Sequence, residues 1–165
     1  MSLQSDFQTF LSDIEPSKTT VDQISAAHKA LREYLSAHEY YGEHCVHTYL
    51  SGSYAKHTSI RPAKNDDNRD VDIIVETDYD SDANSANVII ELRDILLDSS
   101  KYATAHLQTH SVGISFSNLD IDVVPLAANG ETCFIGCIDD GRWTETNPKA
   151  VSYTHLRAHE TRHDL

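Results

Sequence analysis

The strongest constraint on this 165-residue chain is one stretch, Leu50 to Glu76, LSGSYAKHTSIRPAKNDDNRDVDIIVE. It enters through Gly52-Ser53 behind a short apolar strand pattern, Cys45 to Leu50. It leaves through Asp70-Val71-Asp72 in a second strand pattern, Asp70 to Glu76. Strand side chains alternate between faces, so Asp70 and Asp72 point the same way, roughly 6.6 Å apart. Two like charges on one face repel unless a cation sits between them, and Arg69 is the only base adjacent in sequence. A divalent metal answers this geometry, because Mg²⁺ takes carboxylate oxygens and keeps positions for phosphates. Downstream, Leu119 to Leu126 repeats the strand pattern and puts Asp120 and Asp122 on one face. Two Asp from one strand and one from a neighbour can hold two metals about 3.5–4 Å apart for phosphoryl transfer.

Gly52-Ser53, Asp70-x-Asp72 and Asp122 followed by Val-Val-Pro resemble, in that order, the nucleotidyltransferase superfamily of DNA polymerase beta. Within it, GSYAKHTSIRP, DVDIIV and DIDVVP are similar to the bacterial cGAS/DncV-like enzymes, which make cyclic oligonucleotide signals in antiphage defence. The resemblance spans about residues 31 to 149 and implies an α+β fold. That fold is a polymerase-beta-like core with a mixed twisted sheet and N-terminal helices packed on it. It implies Asp70, Asp72 and Asp122 as catalytic and metal-binding residues, with the motif selecting Asp122 over Asp120 as third ligand. It also implies two Mg²⁺ or Mn²⁺ ions, ATP and/or GTP as substrates, and donor phosphates held at Gly52, Ser53 and Lys56. A regulatory protein partner stays open.

Local chemistry leaves alternatives at the glycine turn. Gly52 lets the backbone approach a phosphate, and Ser53 offers an amide and a hydroxyl before a short helix, Tyr54 to Thr58. The same residues also read as a plain turn with Ser53 as N-cap. Lys56 and His57 suit phosphate or base contact and equally a solvated helix face. PAKNDDNR, from Pro62 to Arg69, reads as a loop, with Asp66 and Asp67 solvated.

Elsewhere the pattern is ordinary. Phe7, Phe10, Leu11 and Ile14 mark one amphipathic helix. Val21, Ile24, Ala27, Leu31 and Leu35 mark a second, capped by Thr19 or Thr20. Ile89, Leu92 and Leu96 space a third, with Asp80, Ser81 or Asp82 as cap. Strands are expected at Ala103–Leu107, Val112–Phe116, Leu119–Leu126 and Cys133–Ile138. A loop is expected at Ala127–Thr132, and a hairpin turn at Asp140-Gly141. His106 and His110 read as structural hydrogen-bonding groups.

A net charge of −13 argues against a surface for long nucleic acid, which needs clustered Lys and Arg. It does not argue against nucleotides at a local metal site. Cys45, Cys133 and Cys137 lack zinc spacing and read as buried reduced thiols of a cytoplasmic protein. No apolar run reaches membrane length, and MSLQSDFQTF is not a signal-peptide pattern.

The last stretch, VSYTHLRAHET from Val151 to Thr161, matches the in-frame translation of a transposase sequencing adapter. Residues 151–165 are therefore read as a non-native tail. Residues 1–150 are read as a catalytic core whose C-terminal helical half is missing, so that the fragment alone is expected to be inactive. Two function classes follow. One is a nucleotidyltransferase, of the cyclic-nucleotide branch or of a branch transferring AMP to a protein or small molecule. The other is a nucleotidyltransferase fold that binds nucleotide without turnover.

Overall fold

The computed structural model describes residues 3–56, 69–130 and 132–147. Two helices lead the chain, Leu3–Ile14 (α1) and Lys18–Ala37 (α2). α2 starts where Ser17, extended after Pro16, accepts a 3.2 Å hydrogen bond from the Thr20 amide; Ser17 is thus the cap, not Thr19 or Thr20. Its stripe buries Ile24, Leu31 and Leu35 in the main core, while Val21 at the first turn stays exposed. α1 behaves differently. Phe7 and Phe10 are 57 % and 56 % exposed, so of the two N-terminal helices α2 packs its stripe and α1 does not. Amphipathic spacing fixes which residues share a face of α1 but supplies no surface to bury it.

A single turn, Tyr41–His44 (α3), leads into the first strand, Cys45–Ser51 (β1), which ends in a second short turn, Gly52–Ala55 (α4). The helix therefore begins at Gly52, with Ser53 inside its first turn rather than at its cap. The chain continues as strand Arg69–Thr77 (β2), helix Ser85–Leu97 (α5) and strands His106–Leu107 (β3), Val112–Ser115 (β4) and Leu119–Asn129 (β5). It then forms strands Thr132–Gly136 (β6) and Trp143–Thr146 (β7). Asn84, not Asp80, Ser81 or Asp82, caps α5 by accepting from the Asn87 amide. Asp80 instead closes the preceding turn onto the Asp82 amide.

Three expectations change here. The strand expected at Ala103–Leu107 shrinks to His106–Leu107, because Ser100–Tyr102 coils into a 3-10 turn capped by Ser99. The loop expected at Ala127–Thr132 is mostly strand: β5 runs on to Asn129 and pairs it with Thr132 around Gly130. The strand expected to end at Ile138 stops at Gly136, as the chain turns at Gly141 toward β7.

Among the described residues the seven strands form one mixed sheet in the order β1-β2-β5-β4-β3, with β6 on β5 and β7 on β6. β2 and β5 run parallel and every other pair is antiparallel. On one side β5 pairs with β4 through Val123 and with β6 from Leu126 onward. Pro125 falls in the gap between these two partners, where its missing N–H breaks no ladder bond on that side.

The sheet's two faces differ. Val71, Ile73 and Val75 from β2 meet Ile121 and Val123 from β5, and α2 and α5 cover them. α5 contributes Ile89, Leu92, Ile95 and Leu96. On the opposite face Asp72, Ile74 and Glu76 alternate, and Ile74 joins Val124 and Leu126 in a small second core. That face is therefore polar at the N-terminal ends of β2 and β5 and apolar further along. Cys45, Cys133 and Cys137 are free and half-buried rather than buried. Among the described residues no helix is long and apolar enough to cross a membrane.

His57, the loop expected to hold Asp66 and Asp67, Pro148-Lys149 and the stretch from Val151 expected to be a non-native tail lie outside the described residues.

Candidate active site

The acidic residues form a row because β2 and β5 are adjacent and parallel with a fixed register. Asp72 stands opposite Asp122, and Asp70 opposite Asp120. Neighbouring strands lie about 4.8 Å apart, so the Asp72 and Asp122 backbones stand abreast at that spacing. The row continues on both sides of this pair. Ser51 of β1 is opposite Asp72, and Gly113 of β4 is opposite Asp122. His106 of β3 is opposite Gly113.

Both ends of the row depend on a glycine. Gly52 has φ +65°, a conformation that favours glycine, and it lies directly against the Asp72 carboxylate. A Cβ there would collide with Asp72 Oδ2 and stand 2.9 Å from its Cγ. At the other end, a Cβ on Gly113 would stand 2.6 Å from Gln108 Nε2 and 2.7 Å from His106 Nε2. The bare Gly113 backbone leaves room for those two side chains to lie over it beside Asp122.

The half-buried carboxylates of Asp72 and Asp122 hold their protons more tightly than ordinary Asp. For Asp72 the first cause is loss of solvent and the second is repulsion from Asp70; a backbone hydrogen bond and the Lys56 charge act the other way. For Asp122 the first cause is again burial. A hydrogen bond from Gln108 and the charge of His106 oppose it, while Asp72 and Asp70 add repulsion. Asp120 Oδ1 is buried with no hydrogen-bond partner. A row of crowded oxygens with an orphaned acceptor fits a hard cation such as Mg²⁺ or Mn²⁺. Among the described residues no three Asp, Glu, His or Cys side chains close on a single point. Asp72 and Asp122 stand abreast, and Asp70 lies two residues along the strand, in solvent.

A family model described as "Second Messenger Oligonucleotide or Dinucleotide Synthetase domain", SMODS, matches residues 1–155. The chain belongs to the SMODS family. Among its relatives is the cyclic AMP-AMP-AMP synthase of an Acinetobacter species, 35 % identical over 154 residues, covering 91 % of this chain and 45 % of that protein. The cyclic AMP-AMP-GMP synthase of Enterobacter hormaechei is 34 % identical over 124 residues, covering 75 % and 32 %. The chain thus spans less than half the length of these relatives. The solved CD-NTase CdnG of Bradyrhizobium diazoefficiens, in complex with GTP, superposes with a TM-score of 0.70 at 18 % identity, over 86 % of this chain and 42 % of that one. The fold of this SMODS chain is accordingly the polymerase-beta-like nucleotidyltransferase core.

The structure brings Asp72, Asp122 and Gly52 of this SMODS core into one place, with Lys56 near enough to stabilise the Asp72 carboxylate. Ser53 is exposed on the turn beside them. His110 plays the structural part expected of it, its Nδ1–H donating to the Gly136 carbonyl at 2.7 Å. His106 does so too, donating from Nδ1 to Thr104 O at 3.1 Å, but its ring also faces the Asp122 end of the row. Sequence reasoning missed Ser51, Gln108 and Gly113. Gly113 did carry a signal, since a glycine inside a strand marks close approach by another group. Gln108 carried none, because nothing local ties it to an Asp fourteen residues on.

Proposed function

We propose that this chain is the core of a metal-dependent nucleotidyltransferase that joins ATP and/or GTP into a cyclic di- or trinucleotide second messenger for antiphage signalling. The observation that carries the reading is the in-register pair of Asp72 and Asp122, with Asp70 on the same face and Gly52 closed against Asp72. Family membership and the relatives' cyclic products support the same chemistry. In this reading Asp70, Asp72 and Asp122 hold two divalent ions. The metal, when bound, makes the acceptor hydroxyl more acidic and offsets triphosphate charge. Gly52 keeps the backbone low so that a phosphate can approach, and the Ser53 amide and hydroxyl face the donor phosphates. Lys56 holds positive charge beside Asp72 and is free to turn toward a triphosphate. The cytoplasm, where ATP and GTP are made, is the compartment that suits reduced cysteines.

For the 165-residue chain alone we expect nucleotide binding without turnover, since it spans 45 % of the length of its AMP-AMP-AMP synthase relative. The test incubates the chain, and residues 1–150 extended to the length of the AMP-AMP-AMP synthase relative with that protein's C-terminal part, with labelled ATP and GTP and Mg²⁺ or Mn²⁺. Products are separated by thin-layer chromatography. A phosphatase-resistant cyclic product that disappears in Asp72→Asn is the expected result. An unchanged product from Asp72→Asn removes the metal mechanism. AMP appearing on a protein or small molecule instead points to another branch of the superfamily.

A further inference from the structure

We propose that Gln108, clamped by Ser111, is a positioning residue that sets the orientation of Asp122 for a divalent cation. This rests on the metal reading of the acidic row given above and adds a residue to it.

Gln108 and Ser111 sit in the hairpin between β3 and β4. The Gln108 amide N–H donates to the Ser111 carbonyl at 3.0 Å and closes the turn. Ser111 is buried, and its hydroxyl donates to Gln108 Oε1 at 2.5 Å. With Oε1 taken as acceptor, the side-chain amide must present its NH₂ group on the other side. That group lies over Gly113, the residue opposite Asp122 on the same face, which sets its donors beside the Asp122 carboxylate. A buried serine thus holds one amide, and that amide is turned toward the acidic row.

The choice of an amide is chemically specific. Lys or Arg at this position would neutralise Asp122 and compete with the cation. A neutral donor fixes the carboxylate's rotation and leaves its charge in place. It occupies part of the acceptor capacity of Asp122 and leaves the rest directed along the row. Groups that orient metal-binding carboxylates in this way are worth about 10–100-fold in metal affinity. Gly113 is part of the device, because any side chain there would displace the amide.

The test measures Mn²⁺ binding to the 165-residue protein by the loss of the free-ion electron paramagnetic resonance signal. Melting in EDTA is followed in parallel. Gln108→Leu keeps bulk but removes the donor, and should weaken Mn²⁺ binding about 10–100-fold. Ser111→Ala leaves the amide present but free to flip, and should give an intermediate loss. Asp72→Asn is the reference for the metal reading. If Asp72→Asn loses Mn²⁺ while Gln108→Leu lowers only the melting temperature, Gln108 is structural and the proposal is overturned. If Asp72→Asn itself binds Mn²⁺ as wild type does, the metal reading fails first. Should Gln108→Leu not fold, Ser111→Ala decides: unchanged Mn²⁺ affinity overturns the proposal, and a graded loss supports it.

Discussion

Replacing Gly52 by Ala should disturb the row at its tightest point, and the structure supplies an internal control. Gly52 and Gly130 have nearly the same backbone, φ +65° and +63°. Nothing lies within 4 Å of a Cβ built on Gly130, whereas one built on Gly52 collides with the Asp72 carboxylate. Gly130→Ala therefore meets only the left-handed backbone penalty of about 1–2 kcal/mol. Gly52→Ala meets that penalty and must also swing Asp72 out of its rotamer, which adds about 0.5–1.5 kcal/mol. The swing is affordable because Asp72 is only half-buried. The loss of unfolded-state freedom from Gly to Ala is common to both substitutions and cancels in their difference. Urea unfolding at neutral pH should thus place Gly52→Ala roughly 0.5–1.5 kcal/mol below Gly130→Ala. At about 2–4 °C per kcal/mol for a chain of this size, the gap is a few degrees in melting temperature. In an Asp72→Ala background the extra cost should vanish and the two glycine substitutions should become equal. A Gly52→Ala protein no less stable than Gly130→Ala, or an excess that persists without the Asp72 carboxylate, would refute the close approach.

Three further outcomes follow from the same structure. Asp72→Asn should raise the metal-free melting temperature, since it removes a charge abreast of Asp122. With the strand spacing of about 4.8 Å taken as the scale of the charge separation, the repulsion lies between about 1 and 3.5 kcal/mol, and solvent exposure favours the low end, near 2–4 °C; a melting temperature that falls instead would mean that Asp72 is paired by a group not seen in the row. His28 should titrate below 6.5, because burial, then Arg32 and His47, disfavour its charged form. Its contribution to stability is therefore present above pH 6.5 and is lost as pH falls from 6.5 toward the folded-state value. NMR titration of the ring checks the direction, and a value above 6.5 would contradict it. Phe7→Ser with Phe10→Ser should change the stability of the 165-residue chain by no more than about 0.5 kcal/mol per site, as surface substitutions do. A loss above about 1 kcal/mol per site in urea unfolding would show that α1 packs.

Much of the site was legible because strand periodicity is local. Asp70-Val71-Asp72 and Asp120-Ile121-Asp122 each declare, by alternation alone, two carboxylates on one face with aliphatic residues on the other. The apolar partners Val71, Ile73, Ile121 and Val123 indeed fill the main core. Gly52 announced a turn or a close approach, though not that the approaching group would be Asp72. Caps were less legible. Ser17, Thr19 and Thr20 are all competent acceptors, and the choice fell to whichever residue the entering backbone left extended.

The sequence by itself determined which side chains share a face on each strand and helix, since periods of 2.0 and 3.6 are properties of the backbone. Only the tertiary structure decided which faces meet. The register that sets Asp72 against Asp122 joins strands fifty residues apart, and a slip of one residue would have sent one carboxylate into the core. Gln108 lies beside the Asp122 end of the row only because β4 lies between β3 and β5 and presents a glycine there. The stripe of α1 shows the converse: its period is helical and amphipathic, but burial needs a second surface, and among the described residues none covers Phe7 or Phe10.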